Sequence, residues 1–238
     1  MQNPRLVLSY PLAVAWLRCL TGALCACATA LCLPAYAAPA TGDTYVYRVI
    51  NRYNGETVAH LHHEISDAST AAGVVTSITA DRPAITLQRT EIHTRDGQWL
   101  RHPLDNHGRA IDYEFAQALP AVPPVAGQSW SVRVNARADG ADRARSVRID
   151  GRVLGNERVR VPAGEFDTVK IHRIISPGDP GNFRTETRID ETDWFAPALG
   201  RSVRTETNSS WEEPCGRRYC TYRGDWHLRE LTEVRKRN

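Results

Sequence analysis

The sequence has no Gly-x-Ser-x-Gly elbow and no glycine-rich loop placed to cradle a phosphate, so neither a serine hydrolase of that type nor a P-loop nucleotide enzyme is indicated. No stretch carries a convincing helical stripe. Leu228, Leu231 and Val234 recur at three-residue intervals, but Trp226, Leu228 and Val234 also share one face of a strand, which is the simpler reading. A patch of single-sign charge is missing as well: basic and acidic residues alternate, which argues against nucleic acid as a partner. After residue 33 no apolar run approaches the roughly 20 residues that a membrane-spanning helix needs. Cysteine is scarce there too, with only Cys215 and Cys220 left of six.

The apolar run that does exist is at the front. Arg5 and Arg18 precede an uncharged stretch from Cys19 to Leu33, and Ala35-Tyr36-Ala37 offers the small residues of a signal-peptidase site. We read residues 1–37 as a secretory signal cleaved after Ala37, which addresses the protein to the periplasm or the exterior. Leu24-Cys25-Ala26-Cys27 faintly matches a lipoprotein processing site, so anchoring through a lipidated Cys27 is the alternative. Cleavage at Ala37 leaves residues 38–238, 201 of the 238, a length that all-β architectures hold in one domain. It removes two arginines and no acid, so the formal charge falls from +3 to +1. In an oxidising compartment Cys215 and Cys220 are expected to form a disulfide at the tip of a hairpin. A metal or redox dithiol would call for two-residue spacing or a second Cys/His pair nearby, whereas Gly216-Arg217-Arg218-Tyr219 separates these two.

The rest of the chain reads as strands. Thr44 to Arg52 alternates with β-branched and aromatic residues, Asn54-Gly55 is a hairpin signal, and Thr57 to Ile65 returns. Val74 to Thr79 and Ile85 to His93 follow around Asp81-Arg82-Pro83, and Asp96-Gly97 and Asp105-Asn106-His107-Gly108 mark further reversals. Leu119 to Gly127, with Pro120, Pro123 and Pro124, suits a crossing and no central strand. Val147, Ile149, Gly151 and Val153 keep one face apolar, and Gly151 suggests a bulge or a bend. Two hairpins between Arg158 and Thr207 and a last strand from Tyr222 to Val234 complete the pattern. The expected fold is all-β, about a dozen strands in a strongly twisted antiparallel meander. Alternation alone does not decide whether the sheet closes. An outer-membrane barrel is disfavoured, because Arg184, Glu186, Arg188 and Asp190 would face lipid at about 2–4 kcal/mol for each arginine.

Three motifs carry a resemblance: Pro124-Val125-Ala126-Gly127-Gln128-Ser129-Trp130, the run from Val159 through Pro162-Ala163-Gly164 to Val169, and Trp194-Phe195-Ala196-Pro197-Ala198-Leu199-Gly200. Together they resemble exported bacterial proteins built on domains of unknown function. The resemblance implies an open or half-closed β-barrel similar to that of periplasmic lipoprotein carriers. It supplies no catalytic residue and no cofactor.

His60-Leu61-His62-His63 is the one cluster with metal-ligand chemistry. His60 and His62 share a face about 7 Å apart along a strand, and a third ligand would come from His93 or Glu91 if the strands register suitably. The competing reading is of solvated strand residues. Arg184-Thr185-Glu186-Thr187 repeats as Arg204-Thr205-Glu206-Thr207, and the two are expected to pair across a hairpin. Trp99, Trp130, Trp194, Phe195, Trp211 and Trp226 either line a cavity or close the core and its ends. The functional expectation is a non-enzymatic periplasmic module, without cofactor, that binds a lipid, another apolar or amphiphilic molecule, or an envelope protein. The alternatives are an envelope scaffold acting through an exposed sheet edge and a histidine-dependent metal enzyme, whose histidines would converge with a carboxylate in a cleft.

Overall fold

The computed structural model describes residues 39–69, 73–81, 86–95, 97–106, 109–119 and 127–237. The leader, with Cys27 and Ala37, and the proline-rich stretch 120–126 lie outside the described residues. The first half of the described chain forms β1 (Thr44–Asn51), β2 (Thr57–Asp67), β3 (Val74–Asp81), β4 (Thr86–His93), β5 (Trp99–Asn106) and β6 (Arg109–Leu119). The second forms β7 (Ser129–Ala138), β8 (Arg145–Val161), β9 (Gly164–Ser176), β10 (Arg188–Ala196), β11 (Arg201–Cys215) and β12 (Arg218–Arg235).

Successive strands pair antiparallel, and β12 returns to pair with β1, so the sheet closes into a barrel. Every one of these strands therefore has a hydrogen-bonded neighbour on both sides. That no strand of the ring is left without a neighbour counts against the scaffold alternative, which calls for an exposed sheet edge. The seams are unequal. β8 and β9 pair from Arg148–Ser176 to Val161–Gly164, with one register shift at Val153/Gly155. Among the described residues β4 matches β5 only at Ile92–Arg101 and His93–Trp99, and β6 matches β7 only from Tyr113–Ala138 to Phe115–Ala136.

Alternation decides what points inward. On β8, Val147, Ile149 and Val153 are buried while Arg148, Arg152 and Leu154 between and beyond them are exposed. Each such buried aliphatic side chain stabilises the fold by about 1.5–3 kcal/mol. The apolar interior divides into two clusters. One gathers Leu104, Tyr113, Val147, Ile149, Ile175 and Ile189, and the other gathers Tyr45, Tyr47, Ile65, Val159, Val203 and Leu231.

Two local expectations are corrected. Gly151 stays in register opposite Trp130, and the bulge falls at Val153/Gly155. A Cβ on Gly151 would overlap the Trp130 ring, so this glycine makes room for a cross-strand aromatic. The repeated Arg-Thr-Glu-Thr segments do not pair. Arg204 to Thr207 face Trp194 to Glu191 on β10, while Thr185 lies before β10 and its backbone N–H donates to the Glu212 carbonyl. The β11–β12 hairpin tip is closed by the Cys215–Cys220 disulfide, with the Cα atoms 5.8 Å apart.

Candidate functional site

The barrel interior is not uniformly apolar. Two cavities, of ≈ 160 and ≈ 390 Å³, share His63, Glu91, His102, Glu191, Thr205 and Arg229 in their walls. These residues form a polar waist between them. The smaller cavity reaches toward Thr94, Arg95, Gly97 and Gly200 in the β4–β5 and β10–β11 turns. The larger extends toward Asn51, Ala80 and Asp225, with apolar walls from Leu61, Ile78, Leu104, Ile175 and Ile189.

Strand parity supplies the waist. On β2, Ala59, His63 and Ile65 are buried and His60 and His62 are exposed, so the histidine that points inward is His63. His62 pairs with Asp81 at 3.3 Å on the outer surface. His93 does line the interior, two residues along β4 from the buried Glu91. Its partner is His102 of β5, which the sequence reading did not single out. Trp99 and His102 are three apart, which in an unbroken strand puts them on opposite faces. A register shift between Trp99 and Arg101 brings them together, and their rings stack at 3.9 Å and 8°. Thus Glu91, His93 and His102 converge, with ligand atoms all within 4.8 Å of one another, while His60 and His62 take no part. A histidine–carboxylate convergence is what the metal-enzyme alternative required.

A second group comes from the opposite wall. Arg173, with a side chain 1% exposed, donates to Glu191 at 2.8 Å and to Asp193 at 3.3 Å. Asp193 also accepts from Ser202 Oγ at 2.7 Å and Thr205 Oγ1 at 2.9 Å. Arg201 and Arg229 are placed differently. Arg201 donates to Thr76 at 2.9 Å and lies over the Tyr45 ring; Arg229 donates to Thr205 at 3.0 Å and lies over Tyr47. Among the described residues neither guanidinium has a carboxylate within ion-pair distance.

Burial governs the protonation of this set. It holds His93 down at about 3, with the Arg201 and Arg229 charges acting in the same direction. Burial likewise keeps His63 and His102 well below the ordinary imidazole range, so all three rings stay neutral near pH 7. Burial raises the Glu91 and Glu191 carboxyls, outweighing the arginines that pull them down.

The aromatic set divides by location. Trp99 and Phe195 line the smaller cavity. Trp130 covers Gly151, Trp194 has Lys170 and Arg204 over its ring, Trp211 stacks on Tyr222, and Trp226 meets Tyr53 edge-on.

The structure is similar to that of a protein assigned as a lipoprotein, from Parabacteroides distasonis ATCC 8503, at a TM-score of 0.52 and 13% identity over 84% of this chain and 99% of that one. A protein assigned as exported, with a YmcC-like fold, from Bacteroides fragilis NCTC 9343 aligns at 0.49 and 15% identity over the same shares. The hypothetical lipoprotein YmcC of Escherichia coli aligns at 0.37 and 10% identity over 80% of this chain and 83% of that one. The first of these carries the likeness of fold. No protein-family model and no curated protein matches the sequence.

Proposed function

We propose that this protein is an exported, non-enzymatic barrel that holds a small amphiphilic molecule with an anionic head group. The head rests where the waist opens into the smaller cavity, and the tail lies along the apolar wall of the larger one. The observation that carries this reading is the pair Arg201 and Arg229, inward-facing cations without a carboxylate partner among the described residues. A guanidinium without a direct ion pair in a low-dielectric interior favours an anion that can accept its hydrogen bonds. The larger cavity, ≈ 390 Å³, falls in the size range of small-molecule sites, about 300–1,000 Å³.

Export is supported by the leader pattern of residues 1–37, with cleavage after Ala37 preferred to lipidation of Cys27. The outer faces suit water: Arg148 and Arg152 on β8 and His60, His62 and Glu64 on β2 are exposed. The intact mass of the mature protein distinguishes the two processing routes.

The test of binding is native mass spectrometry of protein released under mild conditions. A co-purifying adduct is expected, lost on delipidation and replaced by an alkyl carboxylate but not by an alkyl trimethylammonium of equal chain length. Equal binding of the two probes, or of neither, overturns the reading.

A further inference from the structure

We propose that Glu91, His93 and His102 form a binding site for a single zinc-class divalent cation on the inner wall of the barrel. The site does not depend on the amphiphile reading, because its three donors belong to β4 and β5 and include neither Arg201 nor Arg229.

The geometry favours an ion over a hydrogen bond. Glu91 Oε1 and His102 Nδ1 stand 3.5 Å apart, and neither has a hydrogen-bond partner among the described residues. Glu91 is 4% exposed and His102 9%, so neither atom is simply hydrated at the surface. Buried polar atoms are rarely left without partners, and two facing each other call for an explanation. Ligands on one tetrahedral zinc, with bonds of about 2.0–2.1 Å, sit about 3.4 Å apart. The observed spacing matches that value. His93 brings the third donor within 4.8 Å, close enough to complete the set by a small side-chain movement.

The donor types agree. Two imidazoles and one carboxylate suit zinc among the divalent metals, and three protein ligands leave a fourth position. All three residues line the smaller cavity, so that position is open to water or a small ligand. Stacking on Trp99 fixes the His102 ring plane, the kind of orientation a metal ligand needs. Of the guanidiniums that act on these donors, Arg173 is held by Glu191 and Asp193, whereas Arg201 and Arg229 oppose a second cation and limit its affinity.

The test uses the full chain stripped with a chelator and titrated with Zn²⁺ by calorimetry, and with Co²⁺ by visible spectroscopy. One Zn²⁺ per chain is expected, with Co²⁺ giving the visible bands of a low-coordinate site. Glu91→Gln and His93→Gln should each weaken Zn²⁺ binding by at least the 10–100-fold, roughly, that is typical of lost supporting contacts at metal sites. The double variant His60→Ala/His62→Ala should bind as the parent does. Absence of the Co²⁺ bands in the parent chain overturns the proposal whether or not the variants fold. So does Zn²⁺ binding that survives His93→Gln or disappears with the two surface histidines.

Discussion

Arg48 Nη2 donates to Glu230 Oε2 at 2.9 Å across β1 and β12, the strand pair that completes the ring. Arg204 Nη2, on the other side of β12, reaches Glu230 Oε1 at 2.7 Å, so one carboxylate ties three adjacent strands in a single row. Removing the charge leaves two guanidiniums competing for a neutral acceptor. Hydrogen bonds to charged groups contribute about 1.5–3 kcal/mol. Glu230→Gln is therefore expected to lower stability by about 2 kcal/mol and Glu230→Ala by more, as measured by urea unfolding followed through tryptophan fluorescence. A loss within error of zero for both would show that this row does not hold the closure.

Acid should loosen the other end of the same strand pair. Asp43 is buried, which alone would raise its carboxyl, but Lys236 at 2.8 Å and the backbone N–H groups of Ala40 and Arg237 outweigh that and hold it below the ordinary value. A depressed folded pKa means stabilisation that is present above the unfolded value, about 3.9, and lost as the pH falls through the folded one. The stability difference between the parent and Asp43→Asn should be largest near pH 7 and shrink below about pH 4. A difference that stays constant down to pH 2 would count against the linkage.

Much of this architecture was legible because the core obeys a period of two. Val147, Ile149 and Val153 on one face and Arg148 and Arg152 on the other specify a half-buried strand before any contact is known. Closure was not legible, since it depends on β12 meeting β1 across nearly the whole chain, a relation that no local pattern encodes. The inward histidine of β2 was within reach: Ala59 and Ile65 fix the parity and place His63 inside. His102 was harder to find, because a register shift between Trp99 and Arg101 switches faces without a glycine to announce it. Pro103 beside it was the available hint of irregular pairing. Arg201 and Arg229 read as ordinary alternating charges in the sequence, and only the ring brings both into the wall of one cavity.

Gly151 tests whether the Trp130 contact is structural. A methyl group there meets the indole ring, which must swing away from its place across the strand pair. Gly151→Ala should cost about 1–2 kcal/mol through overpacking. Adding Trp130→Leu should recover part of that loss, because the clash then has no partner. Urea midpoints of the two single variants and the double variant measure the coupling; strict additivity would mean that the ring and the glycine are independent.

The disulfide should matter for the hairpin and not for the interior. Cys215 and Cys220 are five positions apart, and neither lines either of the two cavities described above. Closing so short a loop is worth about 2 kcal/mol in the chain-entropy account. Replacing both cysteines by serine should lower stability by no more than that and leave amphiphile binding intact. Loss of binding with the fold preserved would connect the hairpin tip to the cavity in a way that its position does not suggest.

Arg201 and Arg229 allow the head-group reading to be tested without disturbing the apolar walls. Each donates to a threonine hydroxyl and to no carboxylate among the described residues, and glutamine keeps part of the alkyl stem and a polar amide, so Arg201→Gln and Arg229→Gln should fold with near-parent melting temperatures. Loss of one charged hydrogen bond to the ligand corresponds to about 1.5–3 kcal/mol, or roughly 10–150-fold in dissociation constant. An alkyl carboxylate should weaken by that factor in each variant, read by displacement of a fluorescent fatty-acid analogue, while an uncharged alcohol of the same length should change little. If carboxylate and alcohol weaken equally, the arginines shape the cavity without recognising charge, and the anionic head group has to be abandoned.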